Sequence, residues 1–309
     1  ADPVHGAVRA LLRTAQAEHP GRLLVVACDG RDESWAALPG VLATAEQEVA
    51  VRAGQPYAPR LVPLAAGDQA GPDAGPDAGS DAGPAARPAL DGTVLITGGT
   101  GGLGGAVAEH LVRHHGVTDL VLLGRSATVD PGHEERAAAL RALGARVTLA
   151  ACDVTDRAAL ADVLAGIPSD RPLAAVVHAA GVVDDGLLTG LTEERFAGVM
   201  RVKAAGAVAL HELTRDADLA AFVLFSSASA VMGSPGQANY AAANGFLDAF
   251  AHHRQALGLP AQSLQWGPWA HERGMAGRLG ADAVARMARQ GTVPLATDEA
   301  LRLLDEALA

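Results

Sequence analysis

From residue 89 onward the chain repeats one unit: a short apolar run, a longer stretch with helical periodicity, then another apolar run. The runs are Thr93–Thr97, Leu120–Leu123, Arg146–Ala151, Leu173–His178, Phe222–Phe225 and Gln262–Gln265. Strands joined through helices do not pair as hairpins; each crossover returns the chain to the same end of the sheet, so the strands run parallel. Their apolar character is nearly continuous rather than alternating, as expected when helices cover both faces. The pattern predicts an α/β fold with a doubly wound parallel Rossmann-type sheet.

Two further segments precede that unit. Residues 67–88 run in four-residue steps beginning at Gly71, Gly75, Gly79 and Gly83, with Pro, Asp and Ala between and no bulky apolar side chain to bury. Such a composition predicts a linker. Residues 1–66 suggest a smaller α/β subdomain: a helix over Val4–Glu18, a strand over Leu23–Ala27, a second helix near Trp35–Ala45, and strands at Glu48–Arg52 and Arg60–Pro63. Residues 89–309 then make the larger unit.

With 49% hydrophobic residues the chain has ample material for a core. Its 24 basic against 35 acidic side chains leave a net charge of −11, which disfavours nucleic acid or an anionic membrane as partner. The apolar runs fall far short of the ~20 residues that span a bilayer, and no charged-then-apolar signal opens the sequence, so a cytoplasmic location is expected. Cys28 and Cys152 each stand beside an aspartate after an apolar run, and no second pair exists for a disulfide framework or zinc site. Both are expected to be buried thiols.

The run Thr97-Gly-Gly-Thr-Gly-Gly-Leu-Gly104 links the first of the six strands to a helical pattern at Ala106–His114. A glycine-rich turn at a helix N-terminus offers unpaired N–H groups and the positive end of the helix dipole to a pyrophosphate, and glycine lets the backbone come close. Gly98, Gly102 and Gly104 carry this expectation, with Thr100, Gly101 and Leu103 between them. About 20 residues on, where an acidic residue would bind a ribose 2′-hydroxyl, the sequence instead has Arg125 followed by Ser126. A guanidinium there suits a 2′-phosphate, so NADPH is expected rather than NADH. Asp153 and Val154, at the end of the third strand, are placed to contact adenine, although Asp153 equally suits the cap of a helix beginning near Thr155.

A tyrosine that protonates an oxyanion needs a nearby cation, because its ordinary pKa is about 10. Tyr240 is one of two tyrosines, and Lys203 is the sole lysine; Ser227 lies between them. The bias toward Ala, Gly and Arg weakens rarity as an argument, but the chemistry is coherent: Tyr240 as acid, Lys203 as its cation, Ser227 as a second donor to the developing charge.

The glycine turn, His178-Ala179-Ala180-Gly181, Lys203, Ser227 and Tyr240-Ala-Ala-Ala-Asn244 together resemble a short-chain dehydrogenase/reductase, and more narrowly the ketoreductase domain of a modular polyketide synthase. In most of that superfamily the lysine follows the tyrosine by four positions; here Asn244 stands there and the lysine lies upstream, the exchange typical of polyketide and related synthase ketoreductases. The resemblance implies a role for Asn244 in organising Tyr240, contacts of Ala179, Ala180 and Gly181 with the cofactor, and a cofactor-free N-terminal subdomain that is incomplete at its N-terminus. Val183-Asp184-Asp185 resembles the Leu-Asp-Asp fingerprint of B-type domains, and Met232 stands where A-type domains carry tryptophan, which implies a D-configured β-hydroxyacyl product. A lid after the sixth strand would include Trp269 and Met275, either of which is placed to touch an acyl chain, Trp269 equally to anchor packing. His178, on an apolar strand, is given no chemistry.

The implied substrate is a β-ketoacyl group on the phosphopantetheine arm of an acyl carrier protein, beside other polyketide synthase domains in one polypeptide. Carrier proteins are usually acidic too, so docking to this chain would need a local arginine patch or tethering. Alternatives are a noncatalytic scaffold domain, a reductase that also epimerises the α-substituent, and a free-standing reductase or sugar-nucleotide epimerase; the last usually has its lysine four residues after the tyrosine and lacks the extra subdomain.

Overall fold

The computed structural model describes residues 2–62, 90–126, 130–270 and 292–309. The expected linker at 67–88, and Met275 with the lid segment around it, lie outside the described residues. Two compact units result, one of Ala1–Glu18 with Pro88–Leu308, the other essentially His19–Arg87.

In the larger unit all six expected strands are present within two residues of their predicted ends: β4 (Thr93–Thr97), β5 (Asp119–Gly124), β6 (Arg146–Ala151), β7 (Leu173–His178), β8 (Ala221–Ser227) and β9 (Gln262–Trp266). They form one wholly parallel sheet in the order β6-β5-β4-β7-β8-β9. Helices α4 (Gly102–His115), α5 (Pro131–Ala142), α6 (Arg157–Ala165), α7 (Glu193–Met200), α8 (Gly206–Thr214), α9 (Ser229–Met232), α10 (Ala238–Ala256) and α11 (Thr297–Leu308) complete the unit. Successive residues of a strand point to opposite faces, so Val94 and Ile96 enter one core with Val107, Leu111 and Leu122, while Leu95 enters the other with Leu123, Val176 and Phe222. The chain winds outward from β4 to β6, then crosses back to β7 on the other side of β4. At such a switch point the crossovers diverge and leave a crevice beyond the strand ends, here at Thr97 and the paired His178. The Asp305 carboxylate ties α11 to α4 by accepting from His110 Nε2 at 2.7 Å and His115 Nε2 at 2.6 Å.

The helix α1 (Pro3–Glu18) belongs with this larger unit rather than with the rest of residues 1–66. Small residues are the cause. A Cβ at Gly6 would stand 2.5 Å from the Gly245 carbonyl oxygen, and one at Gly245 2.5 Å from Ala10 Cβ, so α1 and α10 touch backbone to backbone.

The smaller unit holds β1 (Val25–Cys28), α2 (Asp32–Ala36), α3 (Leu38–Leu42), β2 (Glu48–Arg52) and β3 (Gln55–Tyr57) around Val41, Val49 and Val51. The single helix expected near Trp35–Ala45 is broken in two at Ala37, because Pro39 lacks an N–H and suits the first turn of a new helix. The strand expected at Arg60–Pro63 is not formed by residues 60–62; the returning strand is β3. Ala53 and Gly54 take positive φ, 47° and 74°, which is the two-residue turn that joins strands antiparallel. Cys152 is buried as expected, whereas Cys28 is half-buried. Among the described residues no helix is long and apolar enough to cross a membrane.

Candidate active site

The glycine turn leaves β4 at the switch point. Gly98 sits at φ 67°, where an L side chain is strained, and a Cβ there would meet the Ala180 nitrogen at 2.9 Å. Gly104 is tighter still: its Cβ would stand 2.3 Å from Gly98 O, so the first turn of α4 lies directly on the loop. No side chain caps the N-terminus of α4 at Gly101, which leaves the N–H groups of Gly102, Leu103 and Gly104 at the positive end of the dipole. Thr100 is buried, and its carbonyl accepts from Arg136 Nη2 at 2.5 Å, a brace from α5 that sequence reasoning missed because nothing in the local pattern pairs position 136 with position 100. Arg125 and Ser126, at the end of β5, are exposed. These features fit a dinucleotide: Gly98, Gly102 and Gly104 would admit its pyrophosphate, and Ala179–Gly181 would flank it across the crevice.

Asp153 differs from one of its two expectations. Its Oδ1 accepts from Thr155 N–H at 2.9 Å and from Thr155 Oγ1 at 2.8 Å, making a local turn, while the cap of α6 is Asp156, which accepts from Ala158 and Ala159. Val154 is 4% exposed, and a Cβ at Gly206 would meet its Cγ1 at 3.0 Å, so its side chain is committed to packing.

Lys203 reaches the site through a π-helical turn, Arg201–Ala205, set between α7 and α8. A π turn adds a residue to the helical ladder and rotates the positions it contains, a device common at functional sites. The ammonium is thereby buried, donates to the Phe225 carbonyl at 2.7 Å and lies 5.4 Å from the centre of the Tyr240 ring. Burial lowers its pKa to about 8. His178 supports the same turn: its Nε2 is 3.0 Å from the Lys203 carbonyl, which only accepts, so Nε2 carries the proton and Nδ1 accepts from the Thr97 hydroxyl at 2.7 Å. Its burial, helped by the Lys203 charge, depresses its pKa to about 4, so it stays neutral.

Tyr240 occupies the first turn of α10 and is 6% exposed. Burial raises its pKa above the ordinary value; hydrogen bonds with Asn244 and Ser227 oppose that rise, and the Asp185 charge adds to it. The phenol is therefore protonated at neutral pH and flanked by both partners. Asn244, one turn later, donates from Nδ2 to the Tyr240 carbonyl at 2.8 Å, while its buried Oδ1 has no partner among the described residues. Ser227 ends β8, with Oγ accepting from Ser229 N–H at 3.2 Å. The parallel sheet thus brings Ser227, Lys203, Tyr240 and Asn244 to one end, beside the glycine turn.

The two aspartates separate in role. Asp184 is paired with Arg195, whose Nε donates at 2.8 Å and whose Nη2 also reaches the Asp185 carbonyl at 2.5 Å. The Asp185 carboxylate accepts from the Gln237 amide at 3.0 Å. Its pKa is raised, first by partial desolvation, against the Gln237 hydrogen bond, with the Asp184 charge adding to the rise. Buried Asn239 donates to the Asp184 carbonyl at 2.8 Å and accepts from Tyr240 N–H at 2.8 Å, so the residue before the tyrosine fixes the aspartate loop. Met232 is 62% exposed on α9. Trp269, at 3% exposure, stacks edge-on against Trp266 with ring centres 5.0 Å apart; it serves as a packing anchor rather than as an acyl contact. Arg195, Gln237 and Asn239 were missed in the sequence, since each acts on a residue far from it in the chain or through the backbone.

Volume alone does not mark this site. A cavity of about 910 Å³ lies behind the glycine turn between α4, α5 and α11, and none of Lys203, Ser227, Tyr240 and Asn244 lines it.

Residues 92–271 match the family model described as KR domain, and residues 1–61 match that of "Polyketide synthase extender module SpnB, Rossmann fold domain". The chain is 47% identical to "Spectinabilin polyketide synthase system protein NorA'" of Streptomyces orinoci over 100% of its own length, but covers only 8% of that protein. Among solved structures it is similar to "A-type Ketoreductases from Modular Polyketide Synthase" at 42% identity and TM-score 0.87, covering 100% of this chain and 62% of that one. It is likewise similar to "PlmKR1-Ketoreductase from the first module of phoslactomycin biosynthesis in Streptomyces sp. HK803", at 39% identity and TM-score 0.87, covering 100% of this chain and 68% of that one.

Proposed function

Because the chain belongs to the KR domain family of modular polyketide synthases, we propose that it reduces a β-ketoacyl thioester, carried on the phosphopantetheine arm of an acyl carrier protein, to the D-β-hydroxyacyl thioester with NADPH. The observation that carries this reading is the buried Tyr240 phenol, flanked by Ser227 and Asn244 with the Lys203 ammonium 5.4 Å from its ring. Bound NADPH would supply the hydride to the β-carbon. Tyr240 gives its proton to the ketone oxygen, Ser227 donates a hydrogen bond to that oxygen as its charge grows, and Lys203 stabilises the phenolate left behind. The unpartnered Asn244 Oδ1 is free to hold a water that returns a proton to Tyr240.

Arg125 supports NADPH over NADH, and the aspartate loop with Met232 in place of an A-type tryptophan supports the B-type product. Other domains of a synthase would present the substrate, so tethering, rather than a strong docking face on a chain of net charge −11, would supply the effective concentration. The test is NADPH oxidation with a β-ketoacyl N-acetylcysteamine thioester and chiral separation of the alcohol. A D-alcohol, with kcat/KM at least ~10-fold higher for NADPH than for NADH, is expected from a charge-paired 2′-phosphate. An L-alcohol would overturn the B-type reading while leaving the reductase intact, and no alcohol from any thioester despite NADPH binding would leave a noncatalytic scaffold.

The depressed pKa of Lys203 sets an alkaline limit. The cation is present below about 8 and lost above it, so kcat for reduction should fall as pH rises through about 8. In Lys203→Arg, whose guanidinium stays charged, whatever activity survives should no longer show that limb.

A further inference from the structure

Glu18 is the last residue of α1, far in sequence from every group in the site, yet both its carboxylate oxygens are engaged there. Oε2 accepts from Leu188 N–H at 2.8 Å and Oε1 accepts from Gly236 N–H at 2.8 Å. Leu188 lies three residues beyond Asp185, and Gly236 lies four before Tyr240. The same two loops also meet directly, since Gly186 N–H donates to the Gly236 carbonyl at 2.7 Å. The helix also grips the second loop and the helix α9 that leads into it: Thr14 Oγ1 accepts from Ser234 N–H at 3.1 Å, and Arg13 Nη1 donates to the Ala230 carbonyl at 2.9 Å. Gly233, at φ 73°, passes so near α1 that a Cβ would stand 2.7 Å from Arg13 O.

A carboxylate can accept two N–H groups from two different loops at once, and charge-assisted bonds of this kind are stronger than neutral ones. The loops so joined are the one that carries Asp184 and Asp185 and the one that follows Met232 and leads into Tyr240. We infer that Glu18 is a positioning residue that staples the two walls of the substrate entrance and thereby fixes the face on which the ketone is presented. The inference rests on the reductase reading above. Because α1 is packed backbone to backbone on α10, it is a rigid post, and its end adds a tie from a third element to two loops that also meet through Gly186–Gly236 and Gln237–Asp185.

The test uses the full chain with Glu18→Gln, which keeps size but offers one acceptor where two N–H groups need it, and Glu18→Ala. Measured together are the enantiomer ratio of the alcohol, kcat/KM for the thioester, Kd for NADPH and thermal midpoint. The minor enantiomer should rise several-fold and kcat/KM fall about tenfold, the loss of one charge-assisted bond, while NADPH affinity stays within about twofold. An unchanged ratio with active wild type, whatever happens to the thermal midpoint, would show Glu18 to be merely structural and overturn the proposal. A wild type that makes no alcohol would instead remove the reductase reading. Independently of turnover, amide hydrogen exchange should quicken at least tenfold at both Leu188 and Gly236 in Glu18→Ala, and at one of the two in Glu18→Gln, with β4 and α4 unaffected; unchanged exchange in Glu18→Ala would show that no staple exists.

Discussion

Replacing Tyr240 by phenylalanine is expected to lower kcat by roughly 10²- to 10⁴-fold, the usual worth of a positioned general acid. The variant removes one oxygen from a side chain that is 6% exposed, so the packing around α10 is retained and the loss reads the chemistry. Burial raises the phenol's pKa, so at neutral pH the proton is present and released only as the substrate oxygen becomes basic. Lys203 then matters in proportion to its desolvation, because a charge at 5.4 Å from the ring acts through a poorly screened medium. The check is single-turnover reduction with saturating NADPH, alongside NADPH affinity. Wild-type-like affinity with lost turnover is the expected pair; retention of more than about a tenth of wild-type kcat would remove Tyr240 from the acid role.

Gly104→Ala is expected to weaken NADPH binding by roughly tenfold to a hundredfold, the equivalent of about 1–3 kcal/mol of overpacking. The new methyl would stand 2.3 Å from Gly98 O and 2.8 Å from Gly99 Cα, and backbone atoms do not step aside as a flexible side chain does. The turn must open, carrying Gly98 away from Ala180. Gly105→Ala, one residue along the same helix, is the control: its methyl would meet Gly99 O at 3.7 Å, an ordinary contact, and alanine favours the helix by up to about 1 kcal/mol. Fluorescence titration of NADPH separates the two. Equal affinity in both variants would show that the close approach of α4 to the loop plays no part in holding the cofactor.

Much of the larger unit was legible because its signals are local. Each strand of a doubly wound sheet must be apolar on both faces, so the six strands announce themselves one at a time, and a glycine turn between strand and helix needs no distant partner to be recognised. The smaller unit was read less well. Its second helix is interrupted by Pro39, and its last strand is displaced to Gln55–Tyr57 by a turn at Ala53-Gly54 that carries no Asn-Gly or Asp-Gly signature. Trp269 illustrates a different difficulty: an aromatic near a lid is consistent with substrate contact or with packing, and only its neighbours decide.

The sequence by itself determined the sheet's parallel character, the place of the glycine turn between β4 and α4, and the chemistry available to Ser227, Lys203, Tyr240 and Asn244. It did so because hydrophobic periodicity and side-chain acidity are properties of a residue and its near neighbours. Tertiary structure alone decided how those groups are set. The π turn that buries Lys203, the neutral His178 that links it to Thr97, the division of labour between Asp184 and Asp185, and the Glu18 staple 170 positions from Leu188 all depend on contacts across the sheet. Burial and long-range hydrogen bonds fix pKa values and loop positions, and neither exists until strands distant in the chain have paired.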